Sequence, residues 1–218
     1  MNIIFERIKN IYINLFFFKP KFLSTIIFIP FLYILGWVLA TPIILLGLNK
    51  ENLSLIGTIF TFLLFVFSLP KWFEIRWGLK NTWILLGVNK NNRNKKLILY
   101  FLKGFLLSTI LILLILIPII CMEWGIWIGK LSPNIILNAI FLIIGVGFAE
   151  ELIFRGWLLE EFKNQFGLKK AILGQAFIFS IVHLGFDLPF LQMLSILAGL
   201  FLLGILLSLI RLKDKKSL

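Results

Sequence analysis

Residues 140–155 read IFLIIGVGFAEELIFR, an apolar run that ends in two adjacent glutamates and an arginine. An ionised side chain at bilayer depth costs at least ~2.5–3.5 kcal/mol on insertion scales, so three within six residues are expected to have a role. In a helix, Glu151 and Arg155 are four residues apart and lie on one face. Glu150 is rotated from Glu151 by about 100° and can face a different neighbour. The alternative interpretation is a Glu–Arg pair that only joins two helices.

The composition around this stretch is typical of a membrane protein with several spans. Of the 218 residues, 60% are hydrophobic and 24 are Phe, and the mean hydropathy is +1.02. Long Leu- and Ile-rich runs without ten-residue alternation favour helices over a barrel. We therefore predict an all-α, polytopic membrane helical bundle. The single cysteine, Cys121, excludes an internal disulfide framework and a cysteine-based zinc cluster.

Six apolar segments predict about six transmembrane helices. They lie at about residues 22–48, 53–69, 97–120, 134–160, 171–185 and 190–210. Together they form one transmembrane domain, residues 22–210. Residues 1–21 carry basic side chains among apolar ones at helical spacing, which predicts an amphipathic segment on the membrane surface. A basic tail follows at residues 211–218.

Most of the 22 Lys and Arg residues lie in four stretches, at residues 1–21, 71–96, 155–170 and 211–216. The positive-inside rule assigns these stretches, and with them both termini, to the cytoplasm. The formal charge of +12 is then explained by topology and by contact with anionic membrane lipids, and no nucleic-acid partner is expected. The residues Trp72, Trp77 and Trp83 in the second stretch suit a belt at the headgroup level.

His183, the only histidine, lies on the apolar segment that follows the acidic pair. Depths counted from the basic ends of the two segments agree within about one turn, so Glu150 and His183 are predicted to face one cavity open to the cytoplasm. A carboxylate and an imidazole can polarise one water and take its proton. Pairing of Arg155 with Glu151 would leave Glu150 free as the base. The alternative for His183 is a hydrogen bond between helices, and Phe179 is assigned to packing.

Residues 150–156 (EELIFRG) and 179–183 (FSIVH) resemble the CPBP intramembrane protease family. That family includes the type II CAAX prenyl endopeptidases and the Abi bacteriocin-processing or immunity proteins. The resemblance covers about residues 135–209. It implies a membrane-embedded peptidase that hydrolyses a peptide bond in a membrane-associated or lipidated protein substrate.

Carried over residue by residue, the family pattern gives Glu150 and His183 the activation of water, with Glu151 and Arg155 supporting them as site residues. The family is often described as metalloproteases, which makes Glu150 and His183 candidate ligands of zinc or another divalent metal. A metal-free mechanism, with water held directly by the same pair, stays open. The implied location is the plasma (inner) membrane, with the thylakoid as the alternative.

The chain departs from the family in its histidines. Relatives carry a second histidine on a further helix after the sixth span, whereas His183 stands alone here. The chain is thus either truncated relative to its relatives or a degenerate member. Two functions stay open: an intramembrane endopeptidase, and a catalytically impaired scaffold, immunity or binding protein. A small transporter or proton relay is a third class, but the sequence has no pair of broken helices in matching halves.

Overall fold

The computed structural model describes residues 14, 21–45, 53–86, 94–125, 129, 132–185 and 187–213. Every regular element in these ranges is a helix, which confirms the all-α prediction. The helices are α1 (Lys21–Leu45), α2 (Leu53–Trp77), α3 (Thr82–Leu85), α4 (Asn94–Cys121), α5 (residues 133–166), α6 (Leu168–Ile181) and α7 (Phe190–Lys213). The predicted amphipathic segment and the end of the basic tail lie outside the described residues.

Four helices in the described ranges, α1, α2, α4 and α7, are long and apolar enough to cross a membrane. Helix α6 has 14 residues and extends about 21 Å at 1.5 Å per residue, less than the ~30 Å hydrocarbon core of a bilayer. Helix α5 is longer but carries the acidic pair. Six spans with both termini in the cytoplasm therefore stay a prediction.

Two pairs of helices pack against α5. Helix α1 packs along α2, α6 packs along α7, and the carboxyl-terminal part of α5 contacts α1 and α6. The buried aromatic rings of Phe28, Phe65, Trp72 and Trp157 meet where α1, α2 and α5 come together, with the centroids of Phe28 and Trp72 4.0 Å apart. Large apolar rings that exclude lipid and water at this junction stabilise the contact through dispersion.

The described side chains of helix α4 contribute nothing to that core. No side chain of its apolar part, Phe101–Cys121, is buried against the rest of the described chain. Its Leu, Ile and Phe side chains therefore face outward, as expected of a helix surrounded by lipid.

Two π-helical segments interrupt the α-helical winding of α5. It is α-helical over Pro133–Phe141, Gly147–Glu150 and Leu159–Phe166, and π-helical over Leu142–Val146 and Glu151–Leu158. A π turn closes i→i+5 bonds and takes in one residue more than an α turn, and such turns are frequent at functional sites. The residues after each π segment are thereby rotated relative to an unbroken α-helix. Gly167, with φ of 82°, ends α5 in a conformation that favours glycine.

The headgroup belt predicted for Trp72 is wrong, because Trp72 is fully buried. Helix α2 does not end near residue 69 but continues through Pro70 to Trp77. This last part of α2 turns Trp72 and Arg76 inward against α1 and α5. A high local density of basic and aromatic residues did not distinguish this buried face from a surface one.

We expect Gly36→Ala to destabilise the protein, because α1 and α2 approach closely there. A Cβ at Gly36 would lie 2.6 Å from the carbonyl oxygen of Gly57. Because that oxygen belongs to the backbone of α2, it cannot move aside unless the helix moves with it. Overpacking of this kind costs about 1–3 kcal/mol. The matched control is Gly104→Ala on α4, where a Cβ meets nothing within 4 Å among the described residues. Equilibrium unfolding of both variants in mixed micelles measures the difference, and equal stabilities would contradict the expectation.

Candidate active site

Helix α5 and the turn directly after α6, in which His183 lies, bring the predicted carboxylate and imidazole together. The Oε1 atom of Glu150 lies 3.5 Å from Nε2 of His183. The two side chains are 33% and 34% exposed, respectively, so the rest of the described chain does not enclose either of them. The separation is longer than an ordinary hydrogen bond.

The second ring nitrogen of His183 fixes the tautomer. Nδ1 lies 2.7 Å from the carbonyl oxygen of Phe179, one turn earlier on α6. A carbonyl oxygen only accepts hydrogen bonds, so Nδ1 carries the proton and donates it. In the neutral ring, Nε2 then has its lone pair directed toward the Glu150 side. Two proton acceptors therefore face each other, an arrangement suited to holding a water proton or a cation between them.

The residues Glu151 and Arg155 form a second pair on α5, as their spacing predicts. The Oε1 atom of Glu151 lies 3.6 Å from Nη1 of Arg155, whose side chain is 1% exposed while that of Glu151 is 36% exposed. The guanidinium carbon of Arg155 also lies 4.1 Å from the ring centroid of Phe179. Within the described residues, Nε and Nη2 of Arg155 have no hydrogen-bond partner. Arg155 thus neutralises Glu151 and leaves the Glu150 carboxylate to His183.

Phe179 connects these two pairs, a role that sequence reasoning missed. Its ring packs against the His183 imidazole at 4.8 Å between centroids and against Phe154 at 5.1 Å. Its carbonyl accepts from His183 and its face contacts Arg155. The available signal was its position one turn before the only histidine, where a helical ring must contact the imidazole.

For the peptidase that the sequence resemblance implies, we expect Phe179→Leu to lower kcat by about 2- to 10-fold, since an aromatic pair contributes about 0.5–1.5 kcal/mol and each 1.36 kcal/mol is tenfold in rate. The carbonyl bond to Nδ1 survives, so the effect reports the ring contacts alone. The control is Phe177→Leu on the same helix, whose side chain is 58% exposed. Rates of peptide cleavage by the two reconstituted variants measure the difference, and a larger loss in Phe177→Leu would refute the role of Phe179.

The part of the chain that holds these residues matches a known family model. Residues 132–218, which contain α5, α6 and α7, match the family model "Type II CAAX prenyl endopeptidase Rce1-like". These residues form an Rce1-like domain. The resemblance to the CPBP and CAAX endopeptidases is thereby confirmed over this part of the chain, and the chain is an integral membrane protein with a peptidase-type domain.

The amino-terminal part has its own family match. Residues 6–81 match a domain of unknown function, DUF8676, which spans α1 and α2. Searches among curated proteins and among solved structures find no match. Two family models thus cover the two sides of the contact between the α1–α2 pair and α5.

Whether a metal ion fits the candidate active site depends on how many ligand atoms the protein offers there. Zinc bonds of about 2.0–2.2 Å in tetrahedral geometry separate two ligand atoms by about 3.3–3.6 Å, and Glu150 Oε1 and His183 Nε2 are 3.5 Å apart. A catalytic zinc normally takes three protein ligands. Glu151 is turned to Arg155, and the described residues contain no group of three His, Cys, Asp or Glu that could hold a metal. The described donors are one short of a full set, and we assign no chemical step to a metal.

Proposed function

We propose that the protein is an intramembrane endopeptidase that hydrolyses a peptide bond in a membrane-associated or lipidated protein, using water activated by Glu150 and His183. The approach of Glu150 Oε1 to His183 Nε2, inside an Rce1-like domain, carries this proposal. The proposed location is the plasma (inner) membrane, with the site reached from the cytoplasmic side. The basic stretches that flank the helices support this orientation.

In the proposed reaction, Glu150 and His183 each accept a hydrogen bond from one water molecule. Glu150 takes a proton from this water while the water oxygen attacks the carbonyl carbon of the scissile peptide bond. The tetrahedral intermediate collapses, the C–N bond breaks, and the proton passes to the leaving amine. The products are a new carboxyl terminus and a new amino terminus, and the two groups return to their starting protonation. A positioned general base of this kind contributes about 10²–10⁴-fold to the rate.

The pair of Glu151 and Arg155 supports this chemistry indirectly. Two adjacent carboxylates repel each other and would draw a proton onto one of them. The Arg155 guanidinium, buried beside Glu151, offsets that repulsion. It also packs under Phe179, which fixes His183 through its carbonyl and its ring. Arg155 is therefore proposed as a positioning residue, not as a group that touches substrate.

The proposal is tested with protein reconstituted in liposomes and a prenylated peptide that ends in a CAAX sequence. Mass spectrometry is expected to detect a shortened prenylated peptide and the released fragment. The same peptide without the prenyl group is the control for recognition of a lipidated substrate. Absence of product from both peptides and from a prenylated protein substrate would contradict the endopeptidase proposal.

The second candidate is a catalytically impaired member that binds a lipidated peptide without cutting it. It is favoured by the solitary histidine and by the incomplete set of described metal donors. In that case the prenylated peptide binds to wild-type protein and to Glu150→Gln with equal affinity, and neither yields product. Equilibrium binding of a fluorescent prenylated peptide, measured beside the cleavage assay, separates the two candidates.

A further inference from the structure

A buried polar cluster joins the DUF8676 region to the Rce1-like domain. At its centre is Glu161 of α5, which is fully buried. Its Oε1 accepts hydrogen bonds from the indole nitrogens of Trp72 and Trp77 at 2.5 and 2.6 Å. Its Oε2 accepts from Arg76 Nη2 at 3.1 Å. Thr25 and Gln165 complete what we call the Glu161 cluster, with donors 3.2 and 3.1 Å from Oε2.

The Arg76 side of the cluster also has several partners. Arg76 and Glu161 form an ion pair in which both side chains are 0% exposed. The guanidinium also donates to the hydroxyls of Ser24 and Thr25 and to the Lys21 carbonyl at the start of α1. It lies 4.5 Å from the ring centroid of Trp72. One carboxylate and one guanidinium thus connect the beginning of α1, the end of α2 and the end of α5.

Such a cluster is a poor way to gain stability. Burying two charges costs several kcal/mol per ion, and well-packed apolar side chains in their place are often at least as stable. Hydrogen bonds and ion pairs are directional, however, whereas apolar helix faces can slide and rotate against one another. The best-supported use of a buried polar group is to fix register. The Glu161 cluster therefore selects one rotation of α5 relative to α1 and α2.

That rotation matters for the candidate active site, because Glu150 and Glu161 lie on the same helix. Eleven residues separate them, about three turns of an unbroken α-helix, which would direct both to one side. The π-helical segment Glu151–Leu158 lies between them and turns the later residues. Glu150 consequently faces His183, in the turn directly after α6, while Glu161 faces α1 and α2. Any rotation of α5 at Glu161 also moves Glu150 relative to His183.

We propose that Glu161 is a positioning residue: the Glu161 cluster docks the DUF8676 region onto α5 and holds α5 at the rotation in which Glu150 meets His183. The DUF8676 region is then a structural part of the peptidase site although it supplies no group to the reaction. The effect on cleavage rests on the proposed function, whereas the juxtaposition of Glu150 and His183 does not.

The single histidine makes the proposal testable without activity. Protein labelled with nitrogen-15 histidine in liposomes gives the imidazole signals of His183 alone. In Glu161→Ala, we expect these signals to shift or broaden relative to wild type. The matched control is Glu160→Ala, one residue earlier, whose carboxylate pairs with Lys163 at 2.7 Å outside the cluster. Its signals are expected to stay at the wild-type positions.

The double variant Arg76→Met/Glu161→Met separates positioning from stability. It removes both charges and keeps apolar volume, so the fold is expected to survive. If the cluster positions α5, the His183 signals stay displaced and kcat falls by about 10- to 100-fold with little change in KM, since a misplacement near 1 Å can cost 10²-fold. Wild-type signals and rate in a folded double variant would overturn the proposal.

A milder variant covers the case in which the double variant does not fold. Trp77→Phe removes one of the two indole donors to Oε1 and is expected to displace the His183 signals in the same direction by less. Unchanged signals in Trp77→Phe would then overturn the proposal. If wild-type protein cleaves no peptide, the proposed function fails, and the nitrogen signals still decide whether Glu161 positions α5.

Discussion

Glu150→Gln is expected to abolish cleavage of the prenylated peptide, lowering kcat by about 10²–10⁴-fold, the contribution of a positioned general base. The amide keeps the shape of the side chain but cannot take a proton from water. His183→Gln is expected to have an effect in the same range, because it removes the other acceptor facing the water. Both side chains are about one-third exposed, so the unfolding free energy should change by no more than about 0.5 kcal/mol.

The control for this prediction is Glu160→Gln on the same helix. Its carboxylate contacts Lys163, and Glu160 lies ten positions after Glu150 in the chain. Cleavage rates of the three variants in liposomes, together with their unfolding curves, form the measurement. Wild-type rates in both Glu150→Gln and His183→Gln would show that the candidate active site is elsewhere.

The largest expected effect on stability is at the ion pair between Arg76 and Glu161. Glu161→Ala leaves a buried, unpaired guanidinium and is expected to cost about 3–5 kcal/mol of unfolding free energy. Arg76→Met leaves a buried carboxylate and is expected to cost about as much. The double replacement by Met removes both charges and should recover most of the loss, because the two effects share one interaction.

Equilibrium unfolding in mixed micelles measures this cycle. The control is Glu160→Ala, which removes a pair with Lys163 whose side chains are 13% and 30% exposed, respectively, and should cost less than loss of the fully buried pair. If the single variants are as stable as Glu160→Ala, or if their losses add in the double variant, the buried pair does not join the two regions as described.

The sequence predicted the meeting of Glu150 and His183 well, because that prediction needs only helix geometry. The acidic pair and the histidine lie on consecutive apolar segments, and a rise of 1.5 Å per residue places them at similar depth. The pairing of Glu151 with Arg155 followed from their spacing alone. In the structure both pairs are present, at 3.5 and 3.6 Å. Their catalytic role stays a prediction.

The Glu161 cluster could not be predicted in the same way. Arg76 lies in a stretch rich in Lys and Arg, and counting charges does not separate a buried guanidinium from a solvated one. Glu161 lies where span four was expected to end, yet α5 continues to Phe166 with Glu161 on its buried face. Arg76 and Glu161 are 85 positions apart in the chain. Only the packing of α1 and α2 on α5 brings them together.

The two π-helical segments of α5 could not be predicted from the sequence pattern either. Spacings of 3 and 4 residues describe an α-helix, and nothing in Leu142–Val146 or Glu151–Leu158 marks a wider turn. The wider turns determine the directions in which the side chains of Glu150 and Glu161 extend from α5. Side-chain directions computed from an unbroken α-helix are therefore correct near the acidic pair and fail two to three turns later.

The most direct test of the account is the proximity of Glu150 and His183 in the membrane. Cys121 is the only cysteine and is exposed, so Cys121→Ser gives a background into which Glu150→Cys and His183→Cys are introduced as a pair. A short bifunctional thiol reagent is expected to bridge this pair efficiently within one chain. The comparison pair, Glu150→Cys with Leu173→Cys, places the second thiol within α6, ten residues before His183 and about 15 Å away at the helical rise, and is expected not to bridge. Bridging of the Leu173 pair in preference to the His183 pair would contradict the shared site on which the proposed hydrolysis depends.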